Sequence, residues 1–222
     1  MGKIYDTVKS LHAQLPEGVG LVAVSKFHPV EAIREAYDAG QRAFGESRVQ
    51  EVADKFDRLP ADIRWHFIGH LQTNKVRPLI GRVAMIESVD SERLLQLIDR
   101  LSAERSVTTD VLLQVHVAQE ETKFGFLPEE LLAFFREGRY ASLRATRIRG
   151  IMGMASNTDD TARISADFAR IAALKRQAAE LAPDLPRFDV LSMGMSHDYP
   201  LAIDQGSTLV RIGTAIFGER QY

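Results

Sequence analysis

The chain contains no cysteine, so neither disulfides nor thiolate metal sites can hold it together, and a reducing compartment is compatible with it. It also lacks a basic excess. Lys and Arg number 28 against 30 Asp and Glu, a formal net charge of -2, so the whole-domain electropositive footprint of a nucleic-acid binder is missing. Small-molecule work is the expectation. No apolar run reaches the length of about 18 residues that a membrane-crossing helix needs. Polar residues follow Met1-Gly2-Lys3-Ile4-Tyr5-Asp6, where a signal peptide would place its apolar core. Asp6 stands where myristoylation requires Ser or Thr. A cytoplasmic location follows as an expectation, with no membrane partner. Nor is there a G-x-G-x-x-G after the first apolar run, or a G-x-x-x-x-G-K-[ST] anywhere. With no linker or low-complexity stretch, residues 1–222 read as one domain, 45% hydrophobic and able to bury roughly 70% of its unfolded surface.

What the chain does have is repetition of one unit. Short apolar, β-branched runs recur at 21–26, 41–47, 64–70, 83–90, 111–117, 145–155, 187–196 and 208–218. Between them lie stretches of 3.6-residue periodicity, such as Val30, Ile33, Ala36 and Tyr37, then Val49, Val52, Ala53 and Phe56, then Leu94, Leu95, Ile98 and Leu101. Pro29 and Pro128 sit where a helix first turn tolerates proline, and Gly40 and Gly138 where a helix stops. Ser47 with Gln50 has the spacing of a capping box. The longest helix is expected over 158–181, ended by Pro183. Strands too apolar to face water, alternating with helices, predict a parallel sheet covered by helices. Eight of them favour a closed (β/α)₈ barrel, with an open doubly wound sheet as the alternative. A further helix, Lys3 to Gln14, precedes the first strand and could plug or cover the barrel bottom.

Such barrels place chemistry at the C-terminal ends of their strands. Those ends carry Lys26, Glu46, His66, His70, Gln114, His116, Ser192, Ser196 and Arg211. Lys26 closes the run Leu21-Val22-Ala23-Val24-Ser25, and a partly desolvated amine there would be a nucleophile able to bind an aldehyde as a Schiff base. The plainer alternative is a lysine paired with a carboxylate such as Glu46, or one reaching solvent. Phosphate sites in these barrels often form after strands 7 and 8. Ser192-Met193-Gly194-Met195-Ser196, leading into a short helix near His197, and Arg211-Ile212-Gly213-Thr214 stand there, although each also reads as a glycine turn. Ser196-His197-Asp198 is too compact in sequence for a catalytic triad. His66 and His70 suit structural or loop roles better than a shared metal. The run Arg136, Arg139, Arg144, Arg147 and Arg149 reads as a solvated face.

The blocks 22–26, 44–51, 65–75, 150–154, 191–196 and 210–218 resemble the pyridoxal-phosphate homeostasis protein family, whose fold is similar to the barrel domain of alanine racemase. The resemblance implies pyridoxal 5'-phosphate as cofactor, held as a Schiff base on Lys26. It implies phosphate contacts from the Ser196 loop and from Gly213 and Thr214, and an Arg211 facing the pyridine nitrogen, which would weaken the cofactor as an electron sink. The expected cofactor-binding set is Lys26, Glu46, Ser47, His66, Ser192, Met195, Ser196, Arg211, Gly213 and Thr214, with no catalytic residue and no metal. Ser47 stands where the family commonly has Asn, and His28 where many relatives have a second lysine. Lys123 is a candidate secondary lysine. Buffering or delivery of the cofactor is the expected role, with apo-enzymes that use it as transient partners and a monomer as the expected state. The alternative is an amino-acid racemase. Alanine racemase, however, adds a β-rich second domain and a catalytic tyrosine from across a dimer, and of the five tyrosines here only Tyr199 lies near a strand-end loop.

Overall fold

The structure is a computed structural model describing residues 2–117 and 124–219, so Lys123 lies outside the described residues. Eight parallel strands close into a barrel in chain order: β1 (Gly20–Val24), β2 (Ala43–Glu46), β3 (Arg64–Phe67), β4 (Met85–Val89), β5 (Thr109–Gln114), β6 (Thr146–Met152), β7 (Val190–Ser192) and β8 (Leu209–Ile212). Closure is made by β1 against β8, with Gly20 opposite Leu209 and Ala23 opposite Ile212. The open-sheet alternative is thereby set aside. Several strands are shorter than their apolar runs. The final run overshoots most, because after Gly213 the chain turns helical over Thr214–Phe217.

The helices are α1 (Lys3–Gln14), α2 (Val30–Asp38), α3 (Val49–Phe56), α4 (Glu92–Glu104), α5 (Pro128–Arg136), α6 (Thr161–Leu181), α7 (Tyr199–Asp204) and α8 (Thr214–Phe217). Each has a local cause. Helix α6 starts where the Asp160 carboxylate accepts from the N–H groups of Ala162 and Arg163. Helix α5 begins on Pro128, whose missing N–H costs nothing in a first turn. The expected capping box at Ser47 is absent: α3 is preceded by Arg48, with no side-chain cap, because Ser47 belongs to the barrel mouth instead. Strict alternation also fails once. Between β3 and β4 stands only a 3₁₀ turn, Thr73–Lys75, in a segment that buries Leu71, Val76, Leu79 and Ile80 and is broken by Pro78. Helix α1 does not plug the barrel. It packs beside α2 and α8, and the Tyr5 N–H donates to Glu35 Oε1 at 3.0 Å. Among the described residues no helix is long and apolar enough to cross a membrane.

Most of the apolar core lies between the sheet and the helices, where Phe44, Trp65, Phe67, Phe134, Phe135 and Phe168 are fully buried. Burying a side chain of that kind contributes about 1.5–3 kcal/mol. The barrel interior is different, with a small apolar plug of Met85, Leu112 and Met152 under a set of polar side chains. One backbone approach fixes this geometry. Gly150 sits where the register between β5 and β6 shifts, with φ at 152°, and a Cβ built there would lie 1.8 Å from the Val190 carbonyl oxygen.

Replacement Gly150→Ala should therefore force β6 from β7 and cost about 2–4 kcal/mol, read as a lower midpoint in chemical denaturation. A loss under about 0.5 kcal/mol, the range of neutral surface changes, would show that the close approach is not a constraint.

Candidate functional site

The alternation of β1 separates two jobs. Leu21 and Ala23 face the helices, whereas Val24 and then Lys26 face the barrel mouth. Lys26 stands in a turn two residues past the end of the strand and is half-buried. It lines a pocket of about 290 Å³ at the C-terminal end of the barrel, near the size typical of small-molecule sites. Met195, Ser196, His197, Gly213 and Thr214 line the same cavity, Gly213 packing directly against Val24, and the remainder comes from His28, Ser47, Ile68, Met152, Met154 and Arg211 among others. Residues from the first and the last two strands thus meet in one cavity.

The Ser196 wall gathers backbone donors at one point. Ser196 Oγ accepts from the N–H groups of Gly213 at 3.2 Å and Ala215 at 3.3 Å, so two backbone donors converge on one oxygen position. The loop that carries Ser196 is held by Asp198, whose Oδ1 accepts from the Met195 N–H. It is also held by Gly194, which takes φ at 96° and lies so close to α7 that a Cβ would meet Ala202 at 2.6 Å. His197 pairs with Asp198 at 3.2 Å rather than with Ser196, so the three do not form a triad. The short helix follows at Tyr199, two residues later than the sequence suggests.

Beneath the pocket lies a buried polar cluster that sequence reasoning found only in part. Glu87, in the middle of β4 and fully buried, accepts from Ser192 Oγ at 2.6 Å and bonds His66 Nδ1 at 2.6 Å. Arg211 donates to Ser192 Oγ at 2.6 Å and to the Gly153 carbonyl at 3.0 Å, and stands 3.9 Å from Glu87. Burial pushes the Glu87 carboxyl up, but the His66 hydrogen bond and the charges of His66 and Arg211 outweigh it and hold Glu87 below its ordinary value. Burial pulls the Arg211 guanidinium down, with Glu87 and Asp198 opposing. His66 Nε2 is buried and has no hydrogen-bond partner among the described residues.

The structure therefore divides the ten expected residues. Lys26, Ser47, Met195, Ser196, Arg211, Gly213 and Thr214 line the pocket, while His66 and Ser192 lie below its floor. Glu46 lies outside the pocket lining, in the layer between sheet and helices, where it accepts from Ser25 Oγ at 2.6 Å and from Lys55 Nζ at 2.8 Å. The lysine that pairs with Glu46 is thus Lys55. His70 and Gln114 serve the connection after β5, by stacking on Phe124 and by donating to its carbonyl. Of the basic run, Arg139, Arg147 and Arg149 are spent on ion pairs with Glu137, Asp110 and Asp189. Glu87 and Lys55 were the residues missed. Their signal was a lone charge on an otherwise apolar strand and on the buried face of a helix.

An amine, converging N–H donors and a guanidinium around one cavity suit a ligand that carries both a carbonyl and an anion. Comparison with known proteins points the same way. A family model described as the alanine racemase N-terminal domain matches residues 1–221. The chain is 43% identical over 212 residues to the pyridoxal phosphate homeostasis protein of Vibrio cholerae, covering 92% of this chain and 86% of that one. It is 39% identical over 213 residues to the protein of that name from Mus musculus, covering 91% and 77%. Among solved structures, PipY of Synechococcus elongatus with pyridoxal phosphate bound is 41% identical at a TM-score of 0.89, covering 97% of this chain and 100% of that one. The alanine racemase of E. faecalis, at 20% identity and a TM-score of 0.73, shares the fold, with this chain spanning 58% of it.

The site also carries a pH dependence. Burial pushes Glu46 from an ordinary 4.5 up to about 7, with Lys55 and Ser25 opposing and the charge of Glu51 adding to it. Between those two values the folded chain holds a proton that the unfolded chain has released, so the contribution of Glu46 to stability is fully present below 4.5 and is lost as pH rises to about 7. The fall should be on the order of 3 kcal/mol. Glu51 and Glu87 are held low and act with the opposite sign below that window. Denaturation midpoints measured from pH 4.5 to 8 should slope downward in the wild type and flatten in Glu46→Gln; equal slopes would remove Glu46 as the cause.

Proposed function

This chain belongs to the alanine racemase N-terminal domain family, and we propose that within it the chain is a pyridoxal 5'-phosphate-binding protein that buffers or delivers that cofactor. The observation that carries the reading is the pocket itself, which Lys26 lines together with Ser196, Gly213 and Thr214. The names borne by the relatives at about 40% identity agree with it, as does the bound ligand of the Synechococcus protein. When bound, the cofactor would supply an aldehyde that a neutral lysine amine could hold covalently with loss of water.

On this reading Lys26 holds the aldehyde end. Ser196 and the N–H groups of Gly213 and Ala215 hold the phosphate, with Thr214 beside them adding a hydroxyl at the rim. Met195 and Ser47 fill the flanks, and Arg211, fixed by Ser192 and the Gly153 carbonyl, lies at the floor as the nearest strong donor to a ring nitrogen. His66 and Ser192 act from beneath and Glu46 from behind the sheet, by fixing the strands that carry the lining. A guanidinium at that floor keeps a ring nitrogen unprotonated, which favours storage over carbanion chemistry. Residues 1–222 form one domain, acting as a cytoplasmic monomer whose macromolecular partners are apo-enzymes met in passing. The racemase likeness is one of fold, at 20% identity.

Borohydride reduction of the loaded protein followed by peptide mapping should place the pyridoxyl mass on Lys26, and Lys26→Ala should abolish it. The mass on Lys75 or Lys123 alone, or stereospecific racemisation of an amino acid lost with Lys26→Ala, would overturn the reading.

A further inference from the structure

Two lysines border this site in opposite environments. Lys26 lines the pocket and is half-buried, whereas Lys55, on α3, is 7% exposed and lies behind the sheet. Lys55 Nζ donates to Glu46 Oε1 at 2.8 Å, Glu51 Oε2 at 2.8 Å and the Ser25 carbonyl at 3.1 Å. An ammonium group has three hydrogens, and here each has an acceptor. Lys55 is therefore fully committed where it stands and does not compete for an aldehyde.

Its contacts converge on the residues either side of Lys26. On one side, Ser25 gives its carbonyl to Lys55, its hydroxyl to Glu46 at 2.6 Å and its N–H to the Gly45 carbonyl at 3.0 Å. On the other, the Phe27 N–H donates at 2.8 Å to Glu51 Oε2, the same oxygen that accepts from Lys55. Phe27 has φ at 67°, in the left-handed region that a bulky side chain avoids, so something must hold it there. Glu51 holds its N–H, and the Arg48 guanidinium lies 4.5 Å from its ring. The left-handed residue turns the chain three residues past the end of β1, which leaves Lys26 at the mouth with its neighbours pinned from behind.

We propose that Lys55 is a positioning residue for the attachment lysine, acting through Glu46, Glu51 and the Ser25 carbonyl to fix the backbone on both sides of Lys26. This rests on the reading of Lys26 as the attachment site. Glu46 also precedes Ser47 and its carbonyl accepts from the Ile68 N–H, both in the lining, but among the described residues no hydrogen bond of the clamp reaches Ser196, Gly213 or Thr214, so it governs the covalent end of the ligand and leaves the phosphate end alone. A merely structural role would harm both ends.

The test compares pyridoxal 5'-phosphate with pyridoxine 5'-phosphate, which has a hydroxymethyl group in place of the aldehyde, by equilibrium dialysis with wild type, Lys26→Ala, Lys55→Met and Glu51→Gln. Lys55→Met should weaken pyridoxal 5'-phosphate about tenfold and Glu51→Gln about threefold or more, the scale of one charge-assisted hydrogen bond. Pyridoxine 5'-phosphate should stay within about twofold in both, a change too small for the loss of a hydrogen bond. If Lys55→Met does not fold, Glu51→Gln, which keeps the volume, decides alone. Equal losses for both ligands, or none for either, overturn the clamp while leaving Lys26 in place. Full pyridoxal 5'-phosphate affinity in Lys26→Ala overturns the attachment reading and the clamp with it.

Discussion

A carboxylate without water needs its charge answered, and Glu87 obliges the barrel to answer it from several strands at once. His66 reaches it from β3, Ser192 from β7 and Arg211 from β8, while Arg211 extends the chain of bonds to the Gly153 carbonyl just past β6. Neighbouring strands are already joined by their backbone ladders. This cluster joins strands on opposite sides of the barrel, through its middle. It also sets the floor on which the pocket rests, since Arg211 belongs to both. Apolar residues could fill the same space, but they would leave the guanidinium without a counter-charge.

Above that floor, function is sorted by the side to which each residue of β1 turns. The face toward the helices carries Leu21 and Ala23, and the chain continues on that side with Ser25 bonded to Glu46 and Lys55. The face toward the mouth carries Val24 and Lys26. A site that must hold a ligand reversibly has its supporting charges kept apart from the ligand by the thickness of a sheet. The support can then be rigid and fully bonded, while the pocket side stays open to solvent.

Much of this was legible in the sequence. The repeat of apolar runs and periodic stretches pointed to eight parallel strands, and the glycine-containing segments after β7 and β8 do meet at Ser196 and line the pocket. What escaped notice was whatever depends on direction across the sheet. Glu46 sits at a strand end, as the mouth residues do, yet alternation turns it away from the pocket and into the arms of Lys55. Glu87 sits in mid-strand, so a search confined to strand ends passed over it. Helix α8 reads as strand in the sequence because Ala215, Ile216 and Phe217 are as apolar as a strand would be, and only the turn at Gly213 tells them apart. Ser47 has the spacing of a cap but spends itself on the mouth.

The closing register of β1 against β8 also has a consequence in time. A ribosome releases β1 long before β8, and until the last strand arrives the hydrogen-bonding edge of β1 that faces away from β2 has nothing to pair with. The lysine-bearing turn follows β1, whereas Ser196, Gly213 and Thr214 follow β7 and β8. A nascent chain that has not yet made β8 therefore cannot present the finished pocket.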